Sequence, residues 1–151
     1  YETLNKLSIT VLGLTYKPNT STLRRSASLE IISDLIHEGA KVKCHDPKAD
    51  LNELESDQEF EFYEDPYDAL INSKVLVMVT PWEDYKGLDF LRIKQIMDKK
   101  PIIIDTTNMW NSNYLEELGF LYFDIGKGRK IKGKKWIKDK KLETHQLNLK
   151  L

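Results

Sequence analysis

The sequence is poor in cysteine and contains no long apolar run. Cys44 is the only cysteine among 151 residues, so an internal disulfide is impossible. A reducing compartment, the cytoplasm, therefore fits best. One cysteine with three scattered histidines also argues against a structural zinc site. No apolar stretch approaches the roughly 20 residues of a membrane-spanning helix, so no membrane association is expected.

The chain also lacks an initiator methionine and a secretory signal. It begins with Tyr1, Glu2 and Thr3, which predicts a trimmed edge of a longer protein. Its hydrophobic fraction of 40% is sufficient for a real core and excludes global disorder. The length suits one domain and is too short for both halves of a large two-substrate enzyme.

The net charge of −1 is the sum of two oppositely charged segments and a mixed remainder. Every charge in residues 50–68 is negative, and nine of the ten charges in residues 127–141 are positive. Two interpretations stay open: solvated surfaces that attract each other, or a basic end that binds a phosphate, a partner enzyme or nucleic acid. Nucleic acid is disfavoured, because Trp136 is the only aromatic residue in the basic stretch and a single-stranded platform needs several.

Short β-branched runs alternate with helical periodicity along the first 125 residues. Strands are predicted at residues 7–13, 41–45, 60–63, 74–80, 101–105 and 120–125. Helices are predicted at residues 26–38, after Asp65-Pro66, and at residues 88–98 and 111–118. This order predicts a three-layer αβα Rossmann-like sandwich with a mostly parallel sheet. The domain is expected to span residues 1–126, followed by a basic C-terminal extension over residues 127–151.

Ligands of such folds bind beyond the carboxyl ends of the strands, which places four predicted loops on one rim. These loops cover residues 14–25, 46–49, 80–87 and 106–111. The first follows a strand and precedes a helix, where a dinucleotide fold carries G-x-G-x-x-G, yet only Gly13 is present. It offers instead the cations Lys17, Arg24 and Arg25 beside a helix N-terminus. An anion site and a merely solvated loop are equally compatible with this pattern.

The same loop carries a resemblance to a known family. Residues 11–32, beginning Val-Leu-Gly-Leu-Thr-Tyr-Lys-Pro-Asn-Thr, resemble the start of the C-terminal UDP-binding domain of the UDP-glucose/GDP-mannose dehydrogenase family. That family typically shows G-L-[AS]-[FY]-K-x-x-T-D-D-x-R-x-S-P before an apolar helix. Further matches follow in order at residues 39–42, 45–47, 80–85, 104–108 and 119–122. The resemblance covers roughly residues 7–126.

The resemblance implies a role in oxidising C6 of a nucleotide sugar, such as UDP-glucose to UDP-glucuronate, with hydride transfer to NAD. In this family an N-terminal domain holds NAD, and the catalytic cysteine precedes the C-terminal domain, which closes over the substrate. Tyr16 and Lys17 would contact the UDP-sugar by this resemblance. Arg24 would reach the NAD held by the absent N-terminal domain. A cation beside a pyrophosphate is chemically reasonable in both roles.

Several positions depart from the family pattern. Ser21 replaces an aspartate, Arg25 an acidic residue and Ala27 a proline. The family's D-G-R-N loop reads Asp105-Thr106-Thr107-Asn108, so Thr107 stands where an arginine ordinarily helps to hold the nucleotide sugar. The family's closing Gly-Arg becomes Gly126-Lys127, which keeps the charge without the guanidinium fork.

Other notable residues have a structural and a functional interpretation. Cys44 lies within a predicted strand, so a buried structural thiol is favoured over a catalytic one. Asp46 ends the second strand, where it could bind a ribose or simply form a turn with Pro47. Trp82 and Tyr85 could floor a nucleotide pocket, but covering the sheet is favoured.

Two hypotheses follow. The first is a nucleotide-sugar-binding fragment of a dehydrogenase, inactive alone because the NAD domain and the catalytic cysteine are absent. The second is a free-standing nucleotide-binding or interaction module without catalysis, which the Thr107 replacement favours. A receiver-type signalling domain is disfavoured, because no acidic pair follows the first strand. A monomer or weak dimer is expected for this chain.

Overall fold

Runs of β-branched residues flanked by Gly, Asp and Pro form a six-stranded sheet. The structure, a computed structural model, describes residues 3–55 and 57–126. The strands are β1 (Ser8–Leu12), β2 (Lys41–His45), β3 (Glu61–Phe62), β4 (Val75–Met78), β5 (Ile102–Asp105) and β6 (Leu121–Asp124). All neighbouring pairs are parallel, in the order β3-β2-β1-β4-β5-β6. The predicted Rossmann-like α/β fold is therefore confirmed.

Two of the four helices in the described ranges begin directly after residues whose side chains are typical N-caps. The four helices are α1 (Ala27–His37), α2 (Pro66–Leu70), α3 (Phe90–Ile96) and α4 (Ser112–Glu117). The Ser26 side chain accepts a hydrogen bond from the Ser28 amide, and Asp65 caps α2 ahead of Pro66 at its first turn. Gly39 follows α1 with φ +91°, a left-handed conformation that an L-residue rarely adopts. Local sequence chemistry thus fixes where these two helices start and where α1 ends.

The two faces of the sheet are covered unequally. One face packs α2, α3 and α4 against residues such as Leu76 and Ile103. The other face packs α1 against Val11, Val42 and Val77, and α1 is the only helix of the described residues to do so. In the edge strand β6, the Leu121 side chain is 51% exposed.

The predicted basic extension, residues 127–151 with Lys127, lies outside the described residues, so the domain boundary at residue 126 stays a prediction. Within the described ranges, no helix is long and apolar enough to cross a membrane.

Candidate functional site

The order of the strands reverses between β1 and β4, and the loops after these strands meet at the carboxyl edge of the sheet. Gly13 directly follows β1 with φ +89°, and a Cβ built on it would lie 2.5 Å from the Thr80 nitrogen. The Thr80 hydroxyl donates to the carbonyl of Thr15 at 2.6 Å. The two loops are therefore in direct contact, which leaves no room between them for a pyrophosphate. This closed crevice agrees with the missing G-x-G-x-x-G pattern.

Asp46, which follows β2, organises this junction. One carboxylate oxygen accepts from the Leu14 amide at 2.8 Å, from the Thr15 amide and hydroxyl at 3.0 Å, and from the Trp82 indole at 3.1 Å. The other oxygen accepts from the Lys48 amide at 2.9 Å. The residue is only 4% exposed. Of the two interpretations open from sequence, the contacts support a structural one, because both oxygens are used within the protein.

The aromatic residues after β4 belong to the core. Trp82 is 3% exposed, and Tyr85 is fully buried. The Tyr85 hydroxyl donates to the His45 carbonyl at 3.0 Å, while the Trp110 indole donates to the Tyr85 carbonyl at 3.0 Å. Burial raises the pKa of Tyr85 well above its usual range. Both aromatic residues cover the sheet, as favoured from sequence, and neither presents a face to a nucleotide.

The residues singled out for binding lie outside this core, on the surface of the loop that joins β1 to α1. Tyr16 is 58% exposed, and Lys17 and Arg24 are exposed as well. The Tyr16 amide donates to the Thr22 carbonyl at 3.0 Å, which closes the loop on itself. No ion pair joins Lys17 or Arg24 to another residue of the described ranges. Tyr16, Lys17 and Arg24 therefore lie exposed on one loop, and the charges of Lys17 and Arg24 are not neutralised by an ion pair within the described residues.

Glu53 was missed by sequence reasoning, and it holds this loop in place. Its carboxylate accepts from the Thr22 hydroxyl at 3.1 Å and from the Leu23 amide at 2.8 Å. Asp50 adds a backbone bond, its amide donating to the Ser21 carbonyl at 2.9 Å. Part of the acidic stretch is thus structural, a role that charge patterning alone does not reveal.

Lys48 is a further cation that sequence reasoning missed. It is exposed beyond the end of β2, with its ammonium nitrogen 6.0 Å from the ring centroid of Trp82. Its position just after His45-Asp46-Pro47, in a predicted rim loop, is the signal that could have found it. Lys48 therefore belongs with Lys17 and Arg24 among the exposed cations of the rim.

The loop after β5 is held by a second buried carboxylate, that of Asp105. It accepts from the Thr107 amide at 2.9 Å and hydroxyl at 3.0 Å, from the Trp110 amide at 3.0 Å and from the Tyr122 hydroxyl at 2.8 Å. The Thr107 side chain is thus tied back to the sheet. It neither supplies the charge of the arginine found in the family pattern nor points its hydroxyl outward.

Cys44 is unsuited to nucleophilic catalysis. Its side chain is fully buried in the α1-side core, and burial raises the pKa of the thiol far above its usual range. His45 lies next to it in the strand, but its Nδ1 is 2.9 Å from the Tyr85 hydroxyl on the opposite face of the sheet. The favoured interpretation of Cys44 as a structural residue agrees with this environment. Among the described residues, no group of three or more His, Cys, Asp or Glu could hold a metal ion.

The environment of His45 predicts a pH-dependent stability. Burial lowers the pKa of His45, and the nearby charges of Asp46 and Asp65 only partly oppose this. The unfolded chain binds this proton with a pKa of about 6.5, so below that pH the unfolded state holds more protons than the folded state. The free energy of unfolding should therefore be highest near pH 8, where His45 is neutral in both states. It should decrease as the pH falls below about 6.5.

The measurement is urea unfolding of the chain between pH 5 and pH 8. His45→Asn should reduce the slope of stability against pH, because asparagine does not titrate there. His37→Asn, the same substitution at an exposed position of α1, is the matched control. An identical slope in the wild type and in His45→Asn would contradict the assignment.

Comparison with known proteins decides the family. The model of the UDP-glucose/GDP-mannose dehydrogenase family, UDP binding domain, matches residues 10–112. The chain belongs to this family. The matched segment contains the β1–α1 loop, the Asp46 junction and the loop after β5. The resemblance inferred from the motifs is thereby confirmed.

Relatives within the UDP-glucose/GDP-mannose dehydrogenase family are much longer than this chain. The chain is 35% identical over 119 residues to the UDP-glucose 6-dehydrogenase of Rhizobium meliloti, covering 79% of this chain and 27% of that protein. It is 34% identical over 122 residues to UDP-glucose 6-dehydrogenase TuaD of Bacillus subtilis, covering 80% and 26%. The chain therefore spans about a quarter of the length of these two relatives.

Solved structures show the same fold. The UDP-glucose dehydrogenase of Pyrobaculum islandicum superimposes with a TM-score of 0.57 at 25% identity, covering 79% of this chain and 27% of that one. The NDP-N-acetyl-D-galactosaminuronic acid dehydrogenase of Methanosarcina mazei gives a TM-score of 0.72 at 22% identity, covering 82% and 25%. The second likeness is evidence for the fold alone.

Proposed function

We propose that this chain is the nucleotide-sugar-binding C-terminal domain of an NAD-dependent nucleotide-sugar 6-dehydrogenase of the UDP-glucose to UDP-glucuronate type. The observation that carries the proposal is the β1–α1 loop of a family UDP-binding domain, which presents exposed cations without described ion-pair partners. Tyr16 and Lys17 contact the UDP-sugar. Arg24 reaches toward NAD, which is held mainly by an N-terminal domain of the longer protein.

The physical case for Lys17 rests on its position. The backbone just before it is fixed by Asp46 through Leu14 and Thr15, while the side chain itself stays in solvent. An anchored backbone with an exposed ammonium group suits a phosphate, because binding has to order the lysine side chain but not the backbone that carries it. The nearby N-terminus of α1, capped by Ser26, adds a favourable dipole for an anion.

The reaction attributed to the longer protein needs a thiolate and a bound dinucleotide, and the described residues provide neither. Cys44 is buried and protonated at neutral pH, and the β1–β4 crevice is filled by Thr15, Thr80 and Trp82. The described part of the chain is thus assigned to substrate binding. NAD accepts the hydride when it is bound in the longer protein.

Lys17→Ala should weaken UDP binding by about 10- to 150-fold, because a charge-assisted hydrogen bond contributes on the order of 1.5–3 kcal/mol. Titration calorimetry with UDP, UDP-glucose, UDP-glucuronate, GDP-mannose and NAD measures the affinities. Lys41→Ala is the matched control, since Lys41 is an exposed lysine at the opposite edge of the sheet. Equal affinities in the two variants, or no binding of any nucleotide, would refute the proposal.

We also expect no NAD reduction when the purified chain is mixed with NAD and UDP-glucose. The absence of an activated thiol is the physical reason. Absorbance of NADH at enzyme concentrations in the micromolar range measures the rate. Turnover by this chain would show that the catalytic groups lie within it.

A free-standing nucleotide-binding module without catalysis is the second candidate. Thr107 favours it, because its hydroxyl is bound to Asp105 and cannot replace the guanidinium of the family pattern. The encoding gene separates the two candidates. An upstream reading frame with G-x-G-x-x-G and a cysteine-bearing segment supports the dehydrogenase, whereas an isolated frame supports the module.

A further inference from the structure

Lys48 is exposed at the carboxyl edge of the sheet, while its backbone is fixed by a buried group. Its amide donates to Oδ1 of Asp46 at 2.9 Å, and the Asp46 side chain is buried. Oδ2 of the same carboxylate accepts from the amides of Leu14 and Thr15, just before Lys17. One buried carboxylate therefore anchors the backbone beside two exposed lysines, which lie on the loops after β1 and β2.

The Lys48 ammonium group lies where three loops of the rim meet. The Trp82 indole, from the loop after β4, donates to the Thr15 hydroxyl and to the Asp46 carboxylate, both at 3.1 Å. It thus covers the end of β1, which lies between β2 and β4 in the sheet. The Lys48 ammonium nitrogen is 6.0 Å from the centroid of this indole. The charge is therefore placed over the junction from which Tyr16 and Lys17 emerge.

Within the described residues, the Lys48 ammonium group forms no hydrogen bond or ion pair. Other lysines of the same ranges are engaged. Lys43 and Lys94 each donate to a backbone carbonyl at 2.6 Å, and Lys86, also at the rim, pairs with Glu83 at 2.8 Å. Lys48 therefore resembles Lys17 in offering its charge to an external anion.

The spacing of Lys17 and Lys48 suits an anion with two charged groups. Neighbouring strands lie about 4.8 Å apart, so the loops after β1 and β2 begin at a similar separation. A diphosphate has two anionic phosphoryl groups joined through one oxygen, and two long side chains from adjacent loops can each contact one of them. Lysine binds phosphate as a point charge and needs no fixed orientation.

We propose that Lys48 is a second phosphate-binding residue of this domain and holds the diphosphate of the nucleotide sugar together with Lys17. This inference rests on the proposed function, because it adds a contact at the same rim. It also gives the site a preference for a nucleoside diphosphate over a monophosphate. A single phosphate can be held by Lys17 alone, whereas the second phosphate needs the second cation.

Titration calorimetry of the full chain with UDP and UMP tests the role of Lys48. Lys48→Met removes the charge and keeps an unbranched apolar side chain beside Trp82. It should weaken UDP binding by about tenfold or more and UMP binding by less than about threefold. Lys48→Arg keeps the charge and should bind UDP within about threefold of the wild type. Lys86→Met, the matched control at a paired lysine of the rim, should leave both affinities unchanged.

The outcomes separate this inference from the function on which it rests. Unchanged UDP affinity in Lys48→Met, with a loss in Lys17→Ala, would overturn the role of Lys48 and leave the proposed function standing. Equal losses for UDP and UMP would overturn the assignment to a second phosphate. An equal loss in Lys86→Met would show a general effect of surface charge and would also overturn it. No binding of UDP to the wild type would refute both proposals.

Discussion

Asp46→Ala is expected to lower the free energy of unfolding by about 3 kcal/mol or more, since it leaves several buried donors without an acceptor. The Leu14 and Thr15 amides and the Trp82 indole all donate to this one carboxylate. Water cannot readily replace it, because the residue is 4% exposed. Urea unfolding monitored by circular dichroism measures the loss.

The same substitution should also weaken UDP binding under conditions where the protein remains folded. The reason is mechanical, because the bonds from Asp46 fix the backbone immediately before Tyr16 and Lys17. Asp84→Ala is the control, since Asp84 is exposed. A change in stability below about 0.5 kcal/mol, the range typical of surface positions, would contradict the structural role of Asp46.

Gly13→Ala should cost about 3–5 kcal/mol, because it combines backbone strain with overpacking. The residue has φ +89°, and a new Cβ would lie 2.5 Å from the Thr80 nitrogen and 2.6 Å from its carbonyl oxygen. Both close neighbours are backbone atoms of the adjoining loop, so relief requires β1 and β4 to shift relative to each other. The loss of stability should appear as a lower urea midpoint.

Gly87→Ala is the matched control for this substitution. Gly87 has no positive φ, and a Cβ added there would meet nothing within 4 Å. Alanine should therefore be neutral or slightly stabilising at this position, by reducing the freedom of the unfolded chain. Similar effects at both glycines would show that the close approach of the two loops is not what restricts position 13.

If the proposed function is correct, binding and stability are linked in this domain through the β1–α1 loop. Its inner residues, Leu14 and Thr15, are buried and bonded to Asp46, whereas Tyr16 and Lys17 immediately after them are exposed. Glu53 holds the far side of the loop through Leu23. A variant that loosens either anchor is expected to affect affinity without touching a ligand, so stability must be measured alongside every binding constant.

Much of the fold could be predicted because its signals are local. The β-branched runs at β1, β4 and β5 predict buried parallel strands, and Ser26 and Asp65-Pro66 predict helix starts. The lengths were less exact: residues 74–80 predicted a strand, whereas β4 ends at Met78. The chain turns away there because Thr80 bonds across to the loop after β1, a contact over 65 residues.

The sequence by itself determined the α/β class, the helix caps, the family motif and the loop that carries Tyr16, Lys17 and Arg24. These features depend on periodicity, turn chemistry and spacing along the chain. Only the tertiary structure decided that the Asp46 carboxylate accepts hydrogen bonds from its own chain, that Trp82 and Tyr85 are core residues, and that Glu53 anchors the loop. Such roles depend on partners some thirty or more residues away, whose positions are set by the order and register of the strands.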